Sequence, residues 1–97
     1  IGVKHCIAMP GCTPALHALF LASDFEPGDE IIVSSITDYG TVQGLLAQNL
    51  IPVFADVPPG EINITADTIA PCISSRTRAI LVVHYTGIIC DMDAIQA

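Results

Sequence analysis

Three short segments carry the residues with usable chemistry. The first is Met9-Pro10-Gly11-Cys12-Thr13-Pro14-Ala15-Leu16. An apolar run ends there, a glycine allows a tight turn, and a helical stripe opens with a hydroxyl residue near its start. The unpaired N–H groups and the dipole at such a helix end suit an anion, above all a phosphate. Pro14 is compatible, because proline is tolerated in a first helical turn. A plainer alternative makes Thr13 only the N-cap of that helix. The segment is neither a Walker A loop nor GxGxxG, so P-loop and classical dinucleotide readings lose their main support.

The second segment is Val33-Ser34-Ser35-Ile36-Thr37-Asp38-Tyr39-Gly40-Thr41. Its hydroxyls, carboxylate and phenol could face a ligand, or Thr37 or Asp38 could cap the following helix. The third is Val83-His84-Tyr85-Thr86-Gly87, where a histidine closes an apolar run and either meets a ligand or is simply hydrogen-bonded. His5 and His17 have no partner constellation. Cys6, Cys12, Cys72 and Cys90 lack CxxC spacing, so we expect no metal site and buried free thiols in a reducing compartment.

These segments need a scaffold, and the hydrophobic pattern supplies one. Strands are expected at Val3–Met9, Glu30–Ser34, Pro52–Val57 and Ala79–Val83, the last a continuous apolar run of the kind buried on both faces. Between them, Leu16, Leu19 and Phe20, then Val42, Leu45 and Leu46, recur at helical spacing, the second stripe stopping near Asn49. A third helix should start at Thr65 and run through Ile69 and Ile73, with a kink or early stop at Pro71. Alternation of this kind predicts an α/β fold, a mostly parallel sheet with flanking helices. Ligands in such sheets bind at the carboxyl ends of the strands. Pro10–Thr13, Ser34–Tyr39, Asp56 and His84 should therefore share one rim.

Composition narrows the partners. The 97 residues are 52% hydrophobic and 13% charged, with a mean hydropathy of +0.62, whereas a stand-alone domain typically carries about 25% charge. Ile1 is not an initiator methionine, and Asp91–Ala97 reads as the first turns of a helix. We therefore expect a fragment. Three basic against ten acidic residues give a net charge of −7. Lys4, Arg76 and Arg78 cannot make a basic stripe for a phosphate backbone, which argues against nucleic acid. No apolar run approaches the roughly 18 residues that a membrane span needs.

Taken in order, the segments resemble the DegT/DnrJ/EryC1/StrS family of sugar aminotransferases, of fold type I. The resemblance is carried by Gly11–His17, Pro27–Val33, Pro52–Val57, Asn63-Ile64, Arg76–Ile80, Val83–Gly87 and Asp91–Ile95. It covers nearly the whole chain, and the ordered series is more specific than any one stretch. It implies that residues 1–97 are part of the large domain that binds pyridoxal 5'-phosphate (PLP), incomplete at both ends. It implies a cytoplasmic homodimer that moves an amino group from an amino-acid donor to a nucleotide-linked keto sugar.

The resemblance also implies site residues. Gly11, Cys12 and Thr13 would hold the cofactor phosphate, and a side chain after Thr37 would lie over the pyridine ring. Two positions depart from the family pattern: Cys12 stands where glycine is usual, and Asp38 stands where an aromatic residue is usual. Either Tyr39, one place on, takes the ring, or the ring is covered differently here. The catalytic lysine and the aspartate that pairs with the ring nitrogen lie beyond the position matching Ala97. Lys4 is the only lysine and matches no family motif, so no catalytic residue is expected in this piece. Two alternatives remain: a relative without the lysine that serves in binding or regulation, and a PLP-dependent sugar dehydratase in which histidine replaces the lysine.

Overall fold

A computed structural model describes residues 2–97. Three parallel strands form its centre: β1 (Glu30–Ser34), β2 (Ile51–Ala55) and β3 (Thr77–Leu81), in the order β2-β1-β3. Around them lie α1 (Cys12–Leu21), α2 (Tyr39–Ala47), α3 (Ala66–Ile69) and α4 (Met92–Gln96). Glu30 pairs with Ile51 on one side and Thr77 on the other, and the ladder with β3 is irregular between Glu30 and Ile31.

Strand periodicity decides which residue meets which helix. Ile31 and Val33 point to one face, where Phe20 of α1 and Val42 and Leu45 of α2 close over them. Ile32 points to the other face and packs with Ala55, Ile64 and Ile69, with Ile95 of α4 at the margin. Successive residues of a strand alternate in this way, and covering both faces buries β1 completely. Each fully buried Ile or Val contributes about 1.5–3 kcal/mol relative to exposure. The crossover through α2 lies on one face and that through α3 on the other. Strand order reverses after β2, and crossovers of one hand then require the change of face.

The first expected strand does not form. Val3–Met9 has no partner in the sheet, and Val3, Ile7 and Met9 are exposed. An apolar run becomes a strand only where an edge can pair with it, and this one reaches neither β2 nor β3. The fourth expected strand forms two residues early, at Thr77–Leu81, and is only half-buried because β3 is an edge here. Proline occurs in β2 without breaking it. Ile51 donates its N–H to the Asp29 carbonyl at 2.8 Å, so Pro52, the next residue, turns its ring nitrogen to the outer edge, where no ladder bond is lost.

Helix ends follow their local chemistry. Thr65 and Thr68 form a reciprocal capping box at α3, and Pro71 ends the α-helical geometry in a 3₁₀ turn over Ala70–Cys72, as a residue without an N–H should. α2 ends at Ala47 with Gln48 as its C-cap, and the next residue, Asn49, with a φ of 57°, is the left-handed stop that asparagine tolerates. No helix among the described residues is long and apolar enough to cross a membrane.

Opposite the candidate site, at the start of β1, Glu30 is buried and accepts from Ser74 Oγ at 2.5 Å and from Arg76 Nε at 2.9 Å. The Ser74 hydroxyl, helped by the Arg76 guanidinium, holds the Glu30 carboxyl below its usual range, against the opposing effect of burial.

Candidate functional site

The carboxyl ends of the three strands share one rim, because the strands are parallel. α1 leads into β1 from the far rim, so its N-terminus returns to this one. The N-cap of α1 is Gly11, and no side chain caps it. Thr13 is therefore the second residue of the helix, and the alternative that made it the N-cap is overturned. Ala15 N–H bonds back to the Gly11 carbonyl at 3.2 Å, while Pro14 has no N–H. Cys12 and Thr13 are left with the unpaired N–H groups that every helix start exposes. Gly11 and Cys12 are exposed and Thr13 is half-buried.

Thr13 faces the start of α2. A Cβ placed on Gly40 would overlap the Thr13 hydroxyl oxygen. The two helices therefore begin side by side. They also close together one turn on, where a Cβ on Gly44 would come within 3.0 Å of both His17 Cα and Phe20 Cδ2. Yet the two helix starts differ. Asp38 is the N-cap of α2 and accepts from Gly40 N–H at 2.7 Å, whereas α1 has no such carboxylate. Of the two caps considered for α2, Asp38 is the one used. Thr37 instead donates its hydroxyl to Thr41 Oγ1 at 2.9 Å. With Asp38 committed, Tyr39 is left as the exposed aromatic at the head of α2, 65% accessible.

The rest of the rim is hydrogen-bonded structure. Asp56 accepts from Val57 N–H at 2.9 Å and, more weakly, from Ser35 Oγ at 3.4 Å, which ties the ends of β1 and β2. His84 Nδ1 accepts from Cys90 N–H at 3.2 Å. His84 shares the rim with Thr13, one strand further along, and is exposed. Sequence reasoning gave no role to Asn63. This buried side chain donates to the Ile88 carbonyl at 2.8 Å and accepts from Tyr85 N–H at 3.2 Å, and so holds the turn after His84. The position of Asn63 in the Asn-Ile pair was visible; its reach across more than twenty residues was not.

The cysteines only partly follow expectation. Cys90 is buried, and desolvation pushes its thiol up. Cys72 is half-buried, but Cys6 and Cys12 are exposed, because the segment before α1 has no sheet to pack on and a helix start faces solvent. A hollow of about 790 Å³ is lined by Ile36, Gly60–Thr65 and Ile88–Asp91; Thr13 is not among its walls.

Comparison with known proteins fits this geometry. The family model described as "DegT/DnrJ/EryC1/StrS aminotransferase family" matches residues 1–97. The chain is 38% identical over 97 residues to the spore coat polysaccharide biosynthesis protein SpsC of Bacillus subtilis, covering 100% of this chain and 25% of that protein. It is 42% identical to the GDP-perosamine synthase of Caulobacter vibrioides, covering 97% and 25%. An aminotransferase from Psychrobacter cryohalolentis superposes with a TM-score of 0.81 at 37% identity, over 87% of this chain and 21% of that one. NtdA of Bacillus subtilis, solved with its cofactor PMP bound, superposes with a TM-score of 0.80 at 33% identity, over 87% and 19%. The chain thus spans about a quarter of the length of these curated relatives.

Proposed function

The chain belongs to the DegT/DnrJ/EryC1/StrS aminotransferase family, and from that premise we propose that it is the part of a PLP-dependent sugar aminotransferase that grips the cofactor phosphate. The observation that carries this reading is the uncapped start of α1, where the N–H groups of Cys12 and Thr13 have no helical partner and the Thr13 hydroxyl lies against the start of α2. An oxyanion suits such a cradle: helix dipole and donors all present positive character. The donors these residues offer are neutral, since the 97 residues include three Lys and Arg in all and two of them, Arg76 and Arg78, pair with Glu30 and Asp29. We assign the ring to Tyr39, an exposed aromatic residue at the head of the neighbouring helix.

When bound, the cofactor supplies an electron sink for the exchange of an amino group. The residues of this chain contribute binding and orientation. Cys12 and Thr13 N–H with Thr13 Oγ1 would hold the phosphate, and Tyr39 would lie over the ring. The base that moves the proton is assigned to the part of the protein outside these residues, since Lys4 lies in the unpaired segment before α1. The relatives named for polysaccharide and perosamine synthesis support an amino-acid donor and a nucleotide-linked keto sugar as substrates. A homodimer accords with the exposed Ile88 and Ile89, apolar surface that a partner would cover, and a cytoplasmic location is part of the same proposal.

Thr13→Val in the full-length protein tests the phosphate grip. A hydrogen bond to a charged group contributes about 1.5–3 kcal/mol, so PLP affinity should fall by roughly 10- to 150-fold. The melting temperature of the apo protein should barely move, because Thr13 does not cap its helix. Unchanged affinity in a spectroscopic PLP titration would place the phosphate elsewhere.

A further inference from the structure

We propose that Gly40 is a positioning residue for the Thr13 hydroxyl; the proposal rests on reading Thr13 as a phosphate ligand. Gly40 is the second residue of α2 and keeps a helical backbone, so conformational freedom is not the reason for a glycine there. In such a place glycine disfavours the helix relative to alanine. What its missing side chain provides is room. A Cβ at this position would overlap Thr13 Oγ1 and lie 2.9 Å from Asp38 Oδ1, while Thr13 Cβ would remain at an ordinary 3.5 Å. The overlap therefore falls on one atom of Thr13, its hydroxyl oxygen.

Gly44 makes the contrast plain. A Cβ there would press on the backbone of His17, so Gly44 sets how closely α1 and α2 approach. Gly40 sets where a side chain points. Threonine in a helix divides between two χ1 wells, and the empty space over Gly40 admits the well seen here, with the oxygen against the start of α2. Filling that space turns the hydroxyl away from the start of α2. The phosphate then loses one donor while the amides stay.

A double-mutant cycle in the full-length protein tests this, read by PLP titration and by thermal melts of the apo form. Gly40→Ala should weaken PLP binding roughly 10- to 150-fold, as loss of the hydroxyl donor would. In a Thr13→Ala background the overlap with Oγ1 is gone and only Asp38 Oδ1, at 2.9 Å, still crowds the new Cβ, so Gly40→Ala should then change affinity less than about 2-fold, a coupling expected of residues in contact. If Gly40→Ala alone fails to fold but the double variant folds, the contact is confirmed by rescue. Equal weakening in both backgrounds, or a double variant that also fails to fold, would overturn the proposal. Unchanged PLP affinity in Thr13→Ala would instead overturn the phosphate reading beneath it, so the two failures are told apart.

Discussion

Thr13 and Asp38 both stand at a helix start, yet they use their oxygens differently. Asp38 spends a carboxylate oxygen on its own backbone, at Gly40 N–H; Thr13 leaves α1 uncapped. Asp38→Ala should therefore cost about 1 kcal/mol of stability without weakening PLP binding, as denaturant unfolding and titration of the full-length protein would show. A loss of PLP affinity in this variant would mean that Asp38 has a ligand role besides its cap. At the opposite rim, Glu30 predicts a pH dependence. Its folded-state value lies below the ordinary 4.5, so its contribution is complete above 4.5 and disappears as pH falls through the lowered folded value. Melts taken from neutral pH down through that range should fall less steeply for Glu30→Gln than for the native protein.

The α1–α2 pair is where element and site meet. A side chain at Gly44 would come within 3.0 Å of His17 Cα, and a backbone atom cannot rotate away. Gly44→Ala should therefore destabilise the full-length protein by about 1–3 kcal/mol, the usual range for overpacking, despite alanine's better helix propensity; increased stability in urea unfolding would contradict this. Such contacts also mark the limit of sequence reading. The strand at Glu30–Ser34, the stop at Pro71 and the helix stripes were legible because they follow from local periodicity and proline chemistry. Val3–Met9 was misread because an apolar run has strand character only if an edge is available, and pairing is not written locally. The same holds at the site: the turn at Gly11 could be seen, but which residue caps α1, and that Thr13 would lie against Gly40, depend on how two helices dock.

At the scale of the whole molecule, the apolar surface left open is the main feature. Ile7, Leu21 and Ile89 are each at least 65% exposed, so the 97-residue chain on its own should self-associate and bind a hydrophobic dye; light scattering would check this. The isolated chain should also form no borohydride-stable adduct with PLP at Lys4, as peptide mass mapping would show. The two margins of the sheet are not equivalent in this respect. β2 presents a proline to its outer side, so a strand added there would face a gap in donors. β3 contains no proline along Thr77–Leu81 and can offer its amides to a newcomer. The sheet thus has a polarity of growth. Whatever backbone joins it, from the same polypeptide or another, has a full row of partners only beside β3, and β2 is fixed as a border.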